Sequence, residues 1–197
     1  MRHLPAEMAF AGFSDEELLK GHAAGQRFAL EELFRRYRLP AFRVAFRLLG
    51  NEADALDAVQ DGFVRALTRL DGFQGRSSFR TWLLRVVSNS SLDLGRRRGI
   101  RQALSLDPLQ DQNTREELTV HEEVGQRLEQ EDLRRRLDLA LNQLSEVQRQ
   151  TFVLFADGEL SYREIAEAMG TSVGTVMSRL FYARQKLRAV LDERALT

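Results

Sequence analysis

SYREIAEAMGTSVGTVMSRLFYARQKL, residues 161–187, reads as two helices joined by a short turn. Ser161 and Glu164 have the S-x-x-E spacing of a capping box, which predicts a short helix over Tyr162 to Met169. Gly170, Thr171 and Ser172 form the turn, and a last helix runs to about Leu191. At about 100° per residue, Val173, Val176, Leu180, Ala183 and Leu187 share one stripe fit for burial. Gly174, Thr175, Ser178, Phe181, Tyr182 and Gln185 then point away, with Met177, Arg179 and Arg184 on the flanks. This is the helix-turn-helix arrangement, whose second helix lies in the major groove of DNA. An outward phenylalanine beside a serine is costly in water, and a thymine methyl would cover it. The plainer alternative is a helical hairpin with a surface aromatic.

Upstream of this unit, helices are the default, since there are three prolines and no useful alternating β-branched run. Ser14 with Glu17 caps a first helix, Asp15 to Ala24. Leu30, Leu33, Phe34, Tyr37, Ala41, Val44, Ala45 and Leu48 hold one helical phase through Pro40, where a kink is expected. Leu39, Phe42, Phe46 and Leu49 mark a second apolar face. Asp54 to Leu70 is a third helix with Leu56, Val59, Phe63, Ala66, Leu67 and Leu70 inward and Asp57, Asp61 and Arg65 on a polar face. A glycine-containing loop, Asp71 to Ser78, leads into a fourth helix from Phe79 to about Arg97. Periodicity is lost over residues 99 to about 125, which fits a linker, and returns with Leu128, Leu133, Leu137, Leu141 and Leu144 before a helix over Val147 to Asp157.

The 197 residues allow one ordinary domain or two small ones, and 43% apolar with 29% charged residues marks a folded, not a disordered, chain. Lysine plus arginine equals aspartate plus glutamate at 29 each, but the balance is uneven. Residues 1–98 carry 16 basic and 12 acidic groups, residues 99–131 carry 3 and 8, and residues 132–197 carry 10 and 9. All the cations except Lys20 and Lys186 are arginines, whose planar fork suits phosphates and guanine edges, although biased codon usage gives the same composition. The chain has no cysteine, which excludes disulfides and thiolate metal sites and fits a reducing cytoplasm. No run approaches the roughly 18 apolar residues of a membrane span, and the first 13 residues do not read as a signal peptide.

A second polar constellation lies over residues 73–98. Gln74, Arg76, Ser77, Ser78, Arg80 and Thr81 offer donors and acceptors around a loop, and Arg85, Arg96, Arg97 and Arg98 add charge along the next helix. Such a site suits an unstacked base and its phosphates, or it is a solvated turn followed by arginines that favour the helix dipole. Enzymatic readings fail: His121-Glu122 lacks the second histidine of a zinc motif, and no phosphate loop or dinucleotide fingerprint is present. No catalytic group, cofactor or metal site is assigned.

In four blocks the chain resembles the extracytoplasmic-function (ECF) sigma factors, small bacterial initiation factors built from the second and fourth sigma domains. The blocks are FALEELFRRY (28–37), DAVQDGF (57–63), FQGRSSFRTWL (73–83) followed by Asn89, Asp93 and Arg96, and residues 144–187. The resemblance implies an all-α fold of two small helical domains: an extension 1–13, domain two over 14–98, a flexible acidic linker 99–131 and domain four over 132–197. It implies that Asp57, Gln60 and Asp61 dock on the β′ clamp helices of core RNA polymerase. By the same resemblance, Gln74, Arg76, Ser77, Ser78, Arg80, Thr81, Arg85, Asn89, Arg96 and Arg97 serve the minus-ten element. Thr175, Met177, Ser178, Arg179, Phe181, Tyr182 and Arg184 match the helix that reads the minus-thirty-five element. Promoter DNA, the polymerase β flap and an anti-sigma factor are the further partners it brings, in the cytoplasm and without membrane insertion. Met177 and Tyr182 stand where many relatives carry a cation, and Ser145 replaces a usual proline. An autonomous helix-turn-helix regulator would leave residues 57–79 unexplained, and a protein-only adaptor would leave Ser178, Phe181 and Tyr182 unexplained.

Overall fold

A computed structural model of the chain describes residues 12–70, 73, 75–104 and 136–193, and among them the regular structure is entirely helical. The elements are α1 (Asp15–Ala23), α2 (Arg27–Leu49), α3 (Glu52–Thr68), α4 (Phe79–Leu104), a helical stretch over 136–142, α5 (Glu146–Ala156), α6 (Tyr162–Met169) and α7 (Val173–Glu193). Local chemistry sets the starts. Ser14 and Glu17 exchange both bonds of a capping box at α1, and Asn51 caps α3 by accepting from the Asp54 amide at 2.8 Å. Gly50 closes α2 in the left-handed conformation at φ 78°, a cost only glycine escapes. Pro40 lies inside α2, and the stripe Ala41, Val44, Ala45 and Leu48 stays buried beyond it.

The first four helices pack into one unit with α4 against both α2 and α3. The buried face of α3 is only partly the one that its large apolar residues suggest: Val59 and Phe63 pack on the core, but its centre is made of small residues. Ala55, Ala58, Gly62 and Ala66 are buried, whereas Leu56 is 53% exposed and Leu67 37%. Small side chains let α3 approach α4 so closely that a Cβ on Gly62 would lie 2.8 Å from Val87 Cγ2 and 3.1 Å from its Cα. The leucines are displaced to the rim. Gly62→Ala, which would stabilise an exposed helix by about 1 kcal/mol, is therefore expected to lower the thermal midpoint instead, because overpacking costs about 1 to 3 kcal/mol. Thermal denaturation followed by circular dichroism gives the sign.

Glu32 is buried on α2 and accepts from Arg35 at 2.7 and 2.9 Å and from Arg36 at 2.8 Å. Arg36 and the Tyr37 hydroxyl also bond to Asp15, which ties α1 to α2. The Arg35 hydrogen bond first, against the opposing effect of burial and with help from Arg36, holds the Glu32 carboxyl at about 2, below its ordinary 4.5. A depressed carboxyl stabilises fully above its unfolded pKa and progressively less as pH falls through the folded one. Wild type is thus expected to lose stability between pH 4.5 and about 2 more steeply than Glu32→Gln, as acid-unfolding curves of the two would show.

Ser145 caps α5 and forms a capping box with Gln148, so the residue that replaces proline supplies a different device for starting the same helix. After α5 the chain turns at Gly158, where a Cβ would meet the Leu154 carbonyl oxygen at 2.6 Å. Residues 136–193 do not stand apart from the first unit. Val153, Leu154, Leu160, Ile165, Ala166, Val176 and Leu180 belong to the same apolar cluster as Leu33, Val44, Leu83, Leu84 and Val87. Two domains thus share a continuous core, where the sequence suggested readers separated by a flexible linker. Residues 99–104, expected as the start of that linker, are instead the end of α4, because the helix runs on; the rest of the linker with its acidic stretch, 105–131, and residues 1–11 lie outside the described residues. The fourth helix continues to Leu104, past the Arg97 end expected from the sequence, and Arg98 is fixed within it by an ion pair to Asp54 on α3.

Candidate nucleic-acid interface

The helix-turn-helix forms as the 161–187 stretch predicts. The Ser161 side chain accepts from the Glu164 amide, while the Glu164 carboxylate accepts from the Ser161 backbone amide at 2.9 Å. Gly170 ends α6 at φ 60°, and the Ser172 hydroxyl accepts from the Thr175 amide at 3.1 Å to start α7. Val176, Leu180, Ala183 and Leu187 are buried as expected, but Val173, at the first position of α7, is 41% exposed.

The opposite face of α7 is open. Phe181 is 63% exposed, Met177 55% and Tyr182 54%, and the Phe181 and Tyr182 rings meet edge to face at 5.5 Å. Ser178 is exposed, and Thr175 and Arg179 are half-buried at its margins. Arg184 is aimed rather than free: it donates to the Tyr162 hydroxyl at 3.4 Å, and its guanidinium lies 5.1 Å from the Phe155 ring centre. Tyr162, Met177, Phe181, Arg184, Gln185 and Arg188 line an open groove of about 560 Å³. The surface is apolar at its centre and cationic at its edge, which fits base edges and methyls flanked by phosphates.

The second constellation is gathered around the start of α4, with Gln74 outside the described residues. Gly75 takes φ 65°, and Arg76 is exposed beside it with Ser77 half-buried. Ser78 caps α4 by accepting from the Thr81 amide at 3.1 Å, so its hydroxyl serves the helix start. Phe73, Phe79 and Trp82 pack as a cluster, with ring centres 5.2 to 6.1 Å apart, and anchor the loop. Arg85 and Arg97 are exposed along α4. Four other residues of this set have partners in the second domain. Arg80 donates to the Gly158 carbonyl at 2.8 Å and pairs with Glu159 at 3.1 Å. Thr81 is buried, and its hydroxyl donates to Glu164 at 3.1 Å. Asn89 accepts from the Gln150 amide at 2.9 Å, and Arg96 pairs with Glu146 at 3.4 Å as well as with Asp93.

Asp57, Gln60 and Asp61 are exposed on the outer face of α3, and Leu56, Val64 and Leu67 lie exposed among them. Asp61 has a local partner on the same polar face: Arg65 bonds it at 2.8 Å and also approaches Asp93 at 3.5 Å. Carboxylates set among apolar side chains make a surface suited to a protein partner. Sequence reasoning missed the leucines, having turned them inward, and missed Gln150 and Glu159, which carry no periodic signal.

Among the described residues, a helix-turn-helix with an open face on α7 and an exposed acidic and apolar face on α3 stand together in one chain, a combination that fits a DNA-binding subunit working with a protein partner. Residues 33–100 match sigma-70 region 2 and residues 134–187 match sigma-70 region 4. The chain is 34% identical to RNA polymerase sigma factor NccH of Alcaligenes xylosoxydans xylosoxydans, covering 90% of this chain and 95% of that one. It is 35% identical to the ECF sigma factor SigE of Mycolicibacterium smegmatis, spanning 86% of this chain and 65% of that protein. Among solved structures, CnrH in complex with the cytosolic domain of CnrY superposes with a TM-score of 0.67 at 30% identity, over 91% of this chain and 97% of that one. The chain belongs to the ECF RNA polymerase sigma factors, transcription initiation factors that bind RNA polymerase and promoter DNA. Among the described residues no helix is long and apolar enough to cross a membrane.

Proposed function

We infer that α7 reads the minus-thirty-five element through Thr175, Met177, Ser178, Arg179, Phe181, Tyr182 and Arg184. The loop before α4 and the exposed edge of that helix capture and help melt the minus-ten element. Asp57, Gln60 and Asp61 dock on the β′ clamp helices of core polymerase, with domain four meeting the β flap. In this reading the chain performs no chemistry, acts in the cytoplasm beside polymerase, and is open to an anti-sigma factor, as the sigma factor RpoE from Bartonella quintana is in its complex with the anti-sigma factor NepR.

The observation that carries this reading is the outer face of α3, where Leu56, Val64 and Leu67 lie exposed around Asp57, Gln60 and Asp61. In a self-sufficient DNA-binding regulator such a face would serve dimerisation instead, with tight binding to DNA in the absence of polymerase. The test is in vitro transcription from a promoter library with purified core enzyme. Transcripts from a shared two-element sequence, dependent on adding the chain, are expected. A footprint without polymerase and no transcript would point to an autonomous regulator.

A further inference from the structure

We propose that Phe155 and Tyr162 are positioning residues for promoter reading: between them they hold the Arg184 guanidinium at the rim of the groove along α7, set for a phosphate of the minus-thirty-five duplex. The proposal rests on the assignment of α7 to that element made above. Arg184 stands on an exposed face of α7, where an arginine side chain ordinarily samples many rotamers. Here two other helices constrain it. Its guanidinium carbon lies over the Phe155 ring, 5.1 Å from the centre, and one terminal nitrogen donates to the Tyr162 hydroxyl at 3.4 Å. Phe155 is on α5, and Tyr162 is the first residue of α6. Their rings meet at 5.5 Å, tilted by 53°, and both side chains are half-buried and packed on the main apolar cluster. The shelf under the arginine is therefore fixed by the core and not by α7 itself.

The chemistry of the shelf separates Arg184 from cations elsewhere in the chain. Arg65, Arg80 and Arg96 are paired with carboxylates, which cancel much of the charge they would offer to DNA. A ring face and a hydroxyl cancel none of it, and of the five guanidinium N–H donors the hydroxyl takes one. The other donors keep their full charge for a phosphate, which arginine grips through paired N–H groups. Placement agrees with this use. Met177, Phe181, Arg184 and Arg188 follow one another at spacings of four, three and four residues, a single stripe of α7, and Tyr162 lines the same groove. A duplex whose base edges lie on Met177 and Phe181 brings its backbone past the next turn, where Arg184 is already held. Ordering that side chain in advance removes a cost otherwise met on binding.

The test uses holoenzyme reconstituted from core polymerase and the full-length chain, titrated by anisotropy onto a fluorescein-labelled promoter duplex that it transcribes, over a series of salt concentrations. Phe155→Leu keeps an apolar side chain but removes the ring face. It is expected to weaken binding about fivefold, as for one long side chain left to be ordered on binding, and by the same factor on every single-base variant of the minus-thirty-five element. Its salt slope should stay at the wild-type value, because the same cation still reaches the phosphate. Arg184→Ala should lower that slope by about one unit. In the Arg184→Ala background Phe155→Leu should cause no further loss, the non-additivity of residues that act through one another. Equal losses in both backgrounds would mean that Phe155 acts through the fold, and a loss confined to one base position would put Arg184 on a base edge; either overturns the proposal. Should Phe155→Leu melt early, Tyr162→Phe deletes only the hydroxyl and makes the same comparison, with an expected loss of about twofold for one long hydrogen bond. Wild-type affinity in a folded Phe155→Leu variant overturns the positioning role and leaves reading by α7 standing, whereas a wild-type holoenzyme indifferent to a scrambled minus-thirty-five element removes α7 as the reader.

Discussion

Asp61→Arg is expected to weaken binding to core polymerase by about 2 to 5 kcal/mol, the range for losing a close interfacial charge pair, or roughly thirty-fold to several thousand-fold in affinity. The fold should tolerate it, because Asp61 is exposed on α3 and the helix is held from its other side by Ala55, Ala58, Gly62 and Ala66. The local cost is the pair with Arg65, replaced by two cations at i, i+4, worth only about 0.5 kcal/mol at an exposed helical site. Arg65 also keeps Asp93 within reach at 3.5 Å. Affinity measured by fluorescence on labelled core enzyme, beside a thermal melt, separates the two effects. Undiminished affinity with an unchanged melt would remove Asp61 from the docking face.

Phe181→Ala carries the second large expectation, and its effect should fall on DNA and not on folding. The ring is mostly in solvent and touches Tyr182 edge-on, so its removal leaves the buried stripe Val176, Leu180, Ala183 and Leu187 intact. If the ring covers a thymine methyl, discrimination at one minus-thirty-five position falls by about 1 to 3 kcal/mol, while the salt dependence of binding is unchanged. Met177→Arg on the same face should do the reverse, tightening binding on most sequences and steepening the salt slope by about one unit through an added phosphate contact. A panel of single-base promoter variants at several salt concentrations reads both. A large drop in thermal midpoint for Phe181→Ala with specificity intact would place the ring in the core.

The helix-turn-helix was legible because its determinants are local. Ser161 to Glu164, Gly170 and the phase of Val176 to Leu187 all act within one or two turns, and the chain obeys them. The Ser145 cap was equally local and was passed over as a mere loss of proline. On α3 the expected inward face holds at Val59, Phe63, Ala66 and Leu70, which lie on the core, and fails at Leu56 and Leu67, because close helix approach puts the small residues Ala55, Ala58 and Gly62 at its centre. The joint between the domains left no trace in the sequence at all. Its bonds link Asn89 to Gln150 and Thr81 to Glu164, polar pairs far apart along the chain; Thr81 and Asn89 read as contacts for a strand and Glu164 as half of a capping box, and nothing local pairs them with each other. The same holds for the site: the open face of α7 is visible as a pattern, but which residues of 73–98 find partners among 136–193 is decided by tertiary packing.

The 26 residues of α4 form a single rod about 39 Å long at 1.5 Å per residue. Near its beginning Thr81 meets Glu164, further on Ser88 and Asn89 receive Gln150, and on another side Val87 leaves Gly62 no slack while Arg98 is clasped by Asp54. On the proposed reading, polymerase on the outer face of α3 and the minus-ten strand along α4 would hold one rod from two sides. With Val87 packed against Gly62, α3 has no room to slide on α4, so a displacement of one would be carried by the other and by the residues of 136–193 that Thr81, Ser88 and Asn89 meet.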